Sequence, residues 1–342
     1  MLMQNRRIFF VQSPDGPVSS SCFDVRDEPV PELDDGDVLV RNIYLSCDPY
    51  MRGRMGGTAN YPQSKTFPID QVIPARVVGQ VEASQNTEYA VGNLVWGFLG
   101  WELYSVAKGG GDLRVIDPQL GPISHAITVI GMPGLTARVG MLDIGKPQPG
   151  ETAFISSASG AVGQVAGQIA KLSGCRVVGS AGSDAKVAHI IDKLGFDAAF
   201  NYKTAHSIGA ALDEHCPDGI DIYFENVGGE TLEAVLNRIN QGARIPVCGM
   251  ISQYDIAERY EPRNIANVEA RNAIMQRFSV YEHMNQFDEF LIWVAERIKD
   301  RRIVYFEDIV DGIDNTIGAF IGMMNGENLG KRLVQISNDP TL

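Results

Sequence analysis

The segment 152–163, Thr-Ala-Phe-Ile-Ser-Ser-Ala-Ser-Gly-Ala-Val-Gly, constrains the fold more than any other stretch of the chain. An apolar strand-like run empties into Ser, Ala and Gly and then into a helix-length periodic segment at 161–172. A buried strand turns this abruptly into a helix only where side chains are too small to obstruct the backbone. The alternation continues downstream, with strand-like runs at 176–180, 221–225 and 244–248 and helical stretches at 185–194 and 231–240. Such alternation predicts βαβ units and a doubly wound parallel sheet, an α/β fold. Residues 284–299 place Phe287, Phe290, Leu291, Val294 and Ile298 on one helical face. A further helix is expected over 309–325 and a strand over 331–336. Residues 1–125 have another texture: short apolar runs at 7–11, 38–45, 76–81, 94–98 and 113–116, cut by turns such as Ser13-Pro-Asp-Gly16 and Asp34-Asp-Gly-Asp37. They predict an irregular β-rich domain, and 342 residues exceed what one core of roughly 250–300 residues serves.

Charge narrows the partners. With 29 Lys and Arg against 42 Asp and Glu, the net charge is −13, which opposes nucleic acid as a principal partner. The cysteines Cys22, Cys47, Cys175, Cys216 and Cys248 are dispersed without CxxC spacing, the pattern of reduced thiols in a cytoplasmic protein. No run approaches the roughly 20 apolar residues of a membrane span, and the apolar run near residue 8 is too short for a signal peptide. A soluble, cytoplasmic chain is expected, without nucleic-acid or membrane partners.

Within 152–163, Ala158, Gly160 and Gly163 occupy the three positions of a dinucleotide fingerprint, Ala replacing the first Gly. Gly160 lets the backbone approach a pyrophosphate, Gly163 lets helix and strand pack closely, and the helix N-terminus offers N–H groups to the phosphates. An NAD site usually ends its second strand in Asp or Glu. Here the strand at 176–180 runs into Ala181-Gly182-Ser183, leaving room for a 2′-phosphate, with Lys186 and Tyr202 near the same corner. NADPH is therefore favoured over NADH. The plainer alternative makes Asp184 a helix N-cap and Lys186 a solvated first-turn residue.

Further motifs are Asp48-Pro-Tyr-Met-Arg52, Gly131-Met-Pro-Gly-Leu-Thr-Ala137, Phe200-Asn-Tyr-Lys203, Glu225-Asn-Val-Gly-Gly229, Cys248-Gly-Met-Ile-Ser-Gln-Tyr254 and Asn328-Leu-Gly-Lys331. Their order and extent resemble the zinc-independent medium-chain dehydrogenase/reductases, especially the leukotriene B4 12-hydroxydehydrogenase/prostaglandin reductase branch with plant double-bond reductases and bacterial curcumin reductase. The resemblance implies a GroES-like catalytic domain, 1–125 completed by 310–342, and a Rossmann NADPH-binding domain over 126–309. It implies a homodimer. It places Gly160, Ala161, Val162 and Gly163 on the pyrophosphate, and Lys186 and Tyr202 on the 2′-phosphate. Asn226, Cys248, Gly249, Met250, Ile251, Ser252 and Tyr254 surround the nicotinamide half. Phe278, Ser279 and Val280 close over it, and Asn328 reaches back from the C-terminal segment. The chain departs from the family at Pro133, where relatives commonly carry Thr.

Zinc alcohol dehydrogenases of the superfamily use a thiolate near Cys47 and a downstream Gly-His-Glu; Ile73-Pro-Ala-Arg-Val77 stands there instead. His125, His189, His206, His215 and His283 form no metal-type pair, and His189 and His206 read as surface residues. No metal is expected. The resemblance then implies NADPH-dependent reduction of the carbon–carbon double bond of a small-molecule enone or enal. Tyr254 would donate a hydrogen bond to the developing enolate oxygen. Tyr50, Arg52 and Tyr61 are candidates for the substrate mouth. Arg52 is open to two roles, pairing a substrate carboxylate or bonding loop carbonyls. Met132, Met250 and Gly56-Gly57 suggest an apolar, adaptable pocket. Quinone reduction and non-catalytic nucleotide binding are the alternatives.

Overall fold

The computed structural model describes residues 3–56, 66–256 and 258–342. Two compact units emerge, Met1–Thr128 with Glu307–Leu342, and Val129–Phe306.

The first unit is β-rich. It contains β1 (Gln4–Phe10), β2 (Phe23–Pro29), β3 (Val38–Ser46), the short helix α1 (Tyr50–Arg54), β4 (Gln71–Val72), β5 (Pro74–Ser84), β6 (Leu94–Gly100), β7 (Tyr104–Ala107) and β8 (Arg114–Val115). β1 pairs antiparallel with β2 and β4, while β3, β5, β6 and β8 follow one another in a larger antiparallel sheet. Their apolar residues alternate with polar ones or run continuously where both faces are covered, as in Val38–Ser46. Trp101 centres the core, with Phe320 at 5.6 Å and Phe23 at 6.0 Å between ring centroids.

The second unit opens with α2 (Met132–Arg138), which carries Pro133 in its first turn, where a missing N–H costs no helical bond. The βα alternation follows: β9 (Thr152–Ile155), α3 (Gly163–Leu172), β10 (Arg176–Ala181), α4 (Asp184–Asp192), β11 (Ala198–Asn201), α5 (Ile208–His215), β12 (Ile220–Phe224), α6 (Gly229–Leu236), β13 (Ile239–Val247), α7 (Asn267–Ala270), β14 (Ile274–Arg277) and α8 (Phe287–Lys299). The strands are parallel, in the order β11-β10-β9-β12-β13-β14. The order reverses between β9 and β12, and the crevice beyond the carboxyl ends of such a pair is where open α/β sheets bind ligands. Phe154 stacks between Phe200 and Tyr223 beneath that point, with centroids 5.9 and 5.3 Å away. Two buried glutamines on α3 treat the outgoing chain as a strand. Gln168 exchanges hydrogen bonds with the backbone of Val304 and Gln164 with that of Phe306.

The chain ends in the first unit with β15 (Glu307–Asp311), α9 (Thr316–Met324) and β16 (Lys331–Gln335). The helix expected over 309–325 is thereby corrected. Its first residues form β15, which pairs parallel with β16, and α9 begins at Thr316. The apolar positions 309, 310, 313, 317 and 320 keep helical spacing throughout, and the pairing of 307–311 with β16 overrides it. The helix expected over 231–240 also ends early, since Ile239 and Asn240 already belong to β13. α5 and β14 had no counterpart in the sequence reading. Among the described residues, no helix is long and apolar enough to cross a membrane.

Candidate active site

The loop after β9 is shaped by close approach. Ser157 adopts a left-handed conformation at φ 51°, unusual for a residue with a Cβ, and its carbonyl accepts the Gly160 N–H at 3.0 Å. A Cβ on Gly163 would stand 2.3 Å from that carbonyl, so glycine is obligatory where α3 begins. No side chain caps α3, and its first N–H groups and positive end of the helix dipole face the loop. Gly160, Ala161, Val162 and Gly163 thus form a backbone cradle suited to a pyrophosphate, at the strand-order reversal.

The second feature is the corner after β10. Ser183, rather than Asp184, caps α4, its hydroxyl accepting the Lys186 N–H at 3.3 Å. Asp184 instead accepts from the Asn201 side chain at 2.7 Å. Gly182 permits a close approach: a Cβ there would lie 2.9 Å from the Tyr202 hydroxyl and 3.2 Å from Lys203 Cε, so only a residue without a side chain lets these two groups close on the corner. Tyr202 is 45% exposed. The corner therefore offers a hydroxyl and a lysine side chain around a position with no side chain, with Lys186 on the adjoining first turn of α4. Its nearest carboxylate is engaged by Asn201. These residues fit the 2′-phosphate of NADPH; Lys203 closes the Phe200-Asn-Tyr-Lys203 motif, but nothing in the sequence assigned it a role beside Lys186 and Tyr202.

The third feature lies beyond β12 and β13. Backbone carbonyls of Glu225, Asn226 and Val227 accept N–H groups of residues 248–252: Cys248 at 2.9 Å and Gly249 at 3.1 Å on Glu225, Ile251 at 3.0 Å on Asn226, and Ser252 at 3.0 Å on Val227. The Asn226 amide donates to the Ser156 carbonyl at 2.8 Å, tying this platform to the end of β9. Tyr254 is 5% exposed, and its hydroxyl accepts the Met250 N–H at 3.4 Å. Phe278 packs where Gly140 has no side chain, and Ser279 precedes the turn that starts at Val280. Met132 is half-buried at the start of α2. Glu225 was quoted in a motif but given no role. The visible signal was a carboxylate ending an apolar strand just before Asn-Val-Gly-Gly, where it accepts the amides two and three residues on.

In the β-rich unit, Arg52 is fully buried and its guanidinium donates to the carbonyls of Gly16 at 2.6 Å and Gly56 at 2.8 Å. Those bonds match the loop-carbonyl role among its two candidates. Tyr50 is half-buried in α1; Tyr61 and Gly57 lie outside the described residues. Asn328 donates to the Gly330 carbonyl at 2.6 Å within its own turn. Burial pushes the Cys47 thiol up to about 12, the Lys331 ammonium opposing and Asp48 adding to the shift. That ammonium is 1% exposed and donates to the Cys47 carbonyl at 2.6 Å and to Asp48 at 2.7 Å. Among the described residues, no group of three His, Cys, Asp or Glu side chains is arranged to hold a metal ion. His206 is exposed as expected. His189 is not simply a surface residue: its ring meets Phe306 edge-on at 4.3 Å, and burial lowers its pKa below the ordinary imidazole value.

Known proteins resemble this chain along nearly its whole length. Residues 6–115 match the family described as N-terminal domain of oxidoreductase, and residues 161–296 the family described as zinc-binding dehydrogenase. A 2-alkenal reductase (NADP(+)-dependent) of Nicotiana tabacum is 43% identical, over 89% of this chain and 88% of that protein. An NADPH-dependent curcumin reductase of Escherichia coli is 38% identical, over 98% of each. A solved structure of CurA from Vibrio vulnificus in complex with NADPH superposes with a TM-score of 0.91 at 38% identity, covering 98% of this chain and all of that one.

Proposed function

Since the chain belongs to the zinc-independent medium-chain dehydrogenase/reductases that include 2-alkenal, curcumin and prostaglandin reductases, we propose that it is an NADPH-dependent reductase of the carbon–carbon double bond of α,β-unsaturated ketones and aldehydes. The end-to-end likeness to a 2-alkenal reductase and a curcumin reductase carries this reading. The corner at Gly182 supplies the fit to the phosphorylated cofactor.

When bound, NADPH supplies the hydride for the β-carbon of the enone. The residues of the chain do the rest. Amides of the 160–163 cradle hold the pyrophosphate. Lys186 and Tyr202 hold the 2′-phosphate through charge-assisted hydrogen bonds. Asn226, residues 248–252 and the segment 278–280 flank the nicotinamide and exclude water. Tyr254 donates its phenolic proton in a hydrogen bond to the substrate carbonyl oxygen, where negative charge develops; a phenol is protonated at neutral pH and donates without adding charge. The α-carbon takes its proton from this hydroxyl or from water. Met132 is a substrate contact of the same unit.

We further propose a reducing, cytoplasmic setting, which the five free thiols favour. A second copy is proposed to pair along β14, which ends its sheet and presents Ile274 at 56% exposure. The decisive experiment follows nicotinamide absorbance with a panel of 2-alkenals, cyclic enones and quinones, each with NADPH and NADH. Alkenals and enones should oxidise NADPH and leave NADH nearly untouched. Turnover confined to quinones, or equal use of both nucleotides, would overturn the assignment.

A further inference from the structure

The most unusual buried group in the second unit is the Glu225 carboxyl. It is fully buried at the end of β12, immediately before Asn226. One oxygen, Oε1, accepts the Val227 N–H at 2.6 Å, the Gly228 N–H at 2.9 Å, the Tyr223 hydroxyl at 2.8 Å and, at longer range, the Ser156 hydroxyl at 3.4 Å. The other, Oε2, is buried with no hydrogen-bond partner. A side chain so costly to bury has to hold something in place. What it holds is the turn 225–228, whose backbone carbonyls receive the N–H groups of Cys248, Gly249, Ile251 and Ser252. The fit at that turn is tight: Gly228 sits at φ +75°, and a Cβ there would lie 2.9 Å from the Met250 side chain. Ser156 joins the cluster from β9, its hydroxyl accepting the Asn226 N–H at 3.0 Å and the Tyr223 hydroxyl at 3.2 Å.

We propose that Glu225 is a positioning residue for the nicotinamide half of the cofactor, fixing the turn 225–228 and through it Asn226 and residues 248–254. The inference rests on the NADPH reading given above. Glu225 touches neither cofactor nor substrate; it acts through the backbone it pins. Burial raises its pKa above the usual carboxyl value, against the opposing pull of the Gly228 and Val227 amides, so the neutral acid is favoured relative to a solvated carboxyl. A neutral amide of the same shape should therefore serve. Gln at 225 keeps an oxygen to accept from Val227, Gly228 and Tyr223, whereas Ala keeps none.

The test separates the two ends of the cofactor by calorimetry. NADP+ reports both halves, and adenosine 2′,5′-bisphosphate reports only the end bound near Lys186 and Tyr202. Glu225→Ala should weaken NADP+ about tenfold while changing the bisphosphate less than twofold, and Glu225→Gln should restore NADP+ to within threefold. Should Glu225→Ala fail to fold, Tyr223→Phe removes one of the four donors to Oε1, with a loss of two- to fivefold expected for NADP+ alone. Equal losses for both ligands, or none for either, would overturn the proposal. Wild-type protein that binds neither ligand would overturn the cofactor reading and this inference with it, whereas normal wild-type binding with a uniform loss in the variants sinks the inference alone.

Discussion

The corner after β10 and the platform after β12 and β13 grip by opposite means. At the corner, recognition rests on long, partly exposed side chains, Lys186, Tyr202 and Lys203, arranged around a residue that has none. At the platform, it rests on backbone held to backbone, with a buried carboxyl and two closely packed chain segments setting the shape. A charge at the corner can be changed with little consequence for folding. A change at the platform moves several atoms together. In the function proposed above, the corner selects which nucleotide enters, and the platform selects how its reactive end lies.

The comparison is broken most directly at Tyr254. Tyr254→Phe keeps the packing of a nearly buried ring and removes only the hydroxyl. A drop in kcat of about ten- to a thousandfold is expected, the range for losing one oxyanion donor or less, with NADPH binding unchanged. Steady-state kinetics beside calorimetry would show it, and an effect on binding alone would place Tyr254 with the cofactor instead. Next in size is Lys186→Ala. Removing one charge-assisted bond costs about 1.5–3 kcal/mol, or roughly 10–150-fold in NADP+ affinity, with NAD+ unaffected and the gap narrowing at high salt. Gly182→Asp should push the same way by displacing the Tyr202 hydroxyl, which a Cβ there would crowd at 2.9 Å, and by adding a carboxylate to the corner, raising the NADH to NADPH ratio of kcat/KM by about tenfold or more. A ratio unmoved by either variant would mean that the phosphate is read elsewhere.

How much of this was legible in the sequence differs between the two regions for the same reason. The cradle and the corner are local: Gly160, Gly163, Gly182 and Lys186 sit within one βαβ unit, and small residues at fixed offsets imply the backbone they permit. The platform joins segments more than twenty residues apart, and only pairing brings Val227 against Ser252. Motif likeness pointed to residues 248–254, and a carboxylate ending an apolar strand marked Glu225 as unusual, yet only the pairing shows which segment it supports. Arg52 illustrates the limit from the other side, because its two roles are identical in sequence and separate only when its guanidinium is seen on the Gly16 and Gly56 carbonyls. β15 was lost because its Ile309 and Val310 fall in step with the helical spacing of α9, and α5 and β14 are too short or too weakly patterned to stand out.

A smaller effect tests the platform by pH. In the unfolded chain Glu225 titrates near 4.3, and in the folded one higher. Between those values the folded state holds more protons than the unfolded, so the Glu225 contribution is fully present below the unfolded value and is lost as pH rises through the folded one. Glu225→Gln has no such group. Its melting temperature should therefore gain on wild type as pH is raised from 4 towards neutrality, readable by parallel thermal scans. Identical pH profiles would mean that the carboxyl is not desolvated as the structure has it.

The smallest expected effect is an absence of reaction where one would be feared. An enone reductase handles electrophiles that alkylate thiols, and Cys248 begins the very segment placed beside the nicotinamide. Cys248 is partly exposed as a residue, and burial with the neighbouring Glu225 carboxyl pushes its thiol up to about 12. The nucleophile is the thiolate, and an ordinary cysteine titrates near 8.5. At pH 8 the ionised fraction of Cys248 is then on the order of a thousandfold below that of an unshielded thiol. Incubation with a 2-alkenal at pH 8 should leave Cys248 unmodified by peptide mass analysis. With iodoacetamide, its rate should climb about tenfold per pH unit up to pH 10 without levelling. A plateau near pH 8–9 would show a solvated thiol, and with it a platform looser than its hydrogen bonds imply.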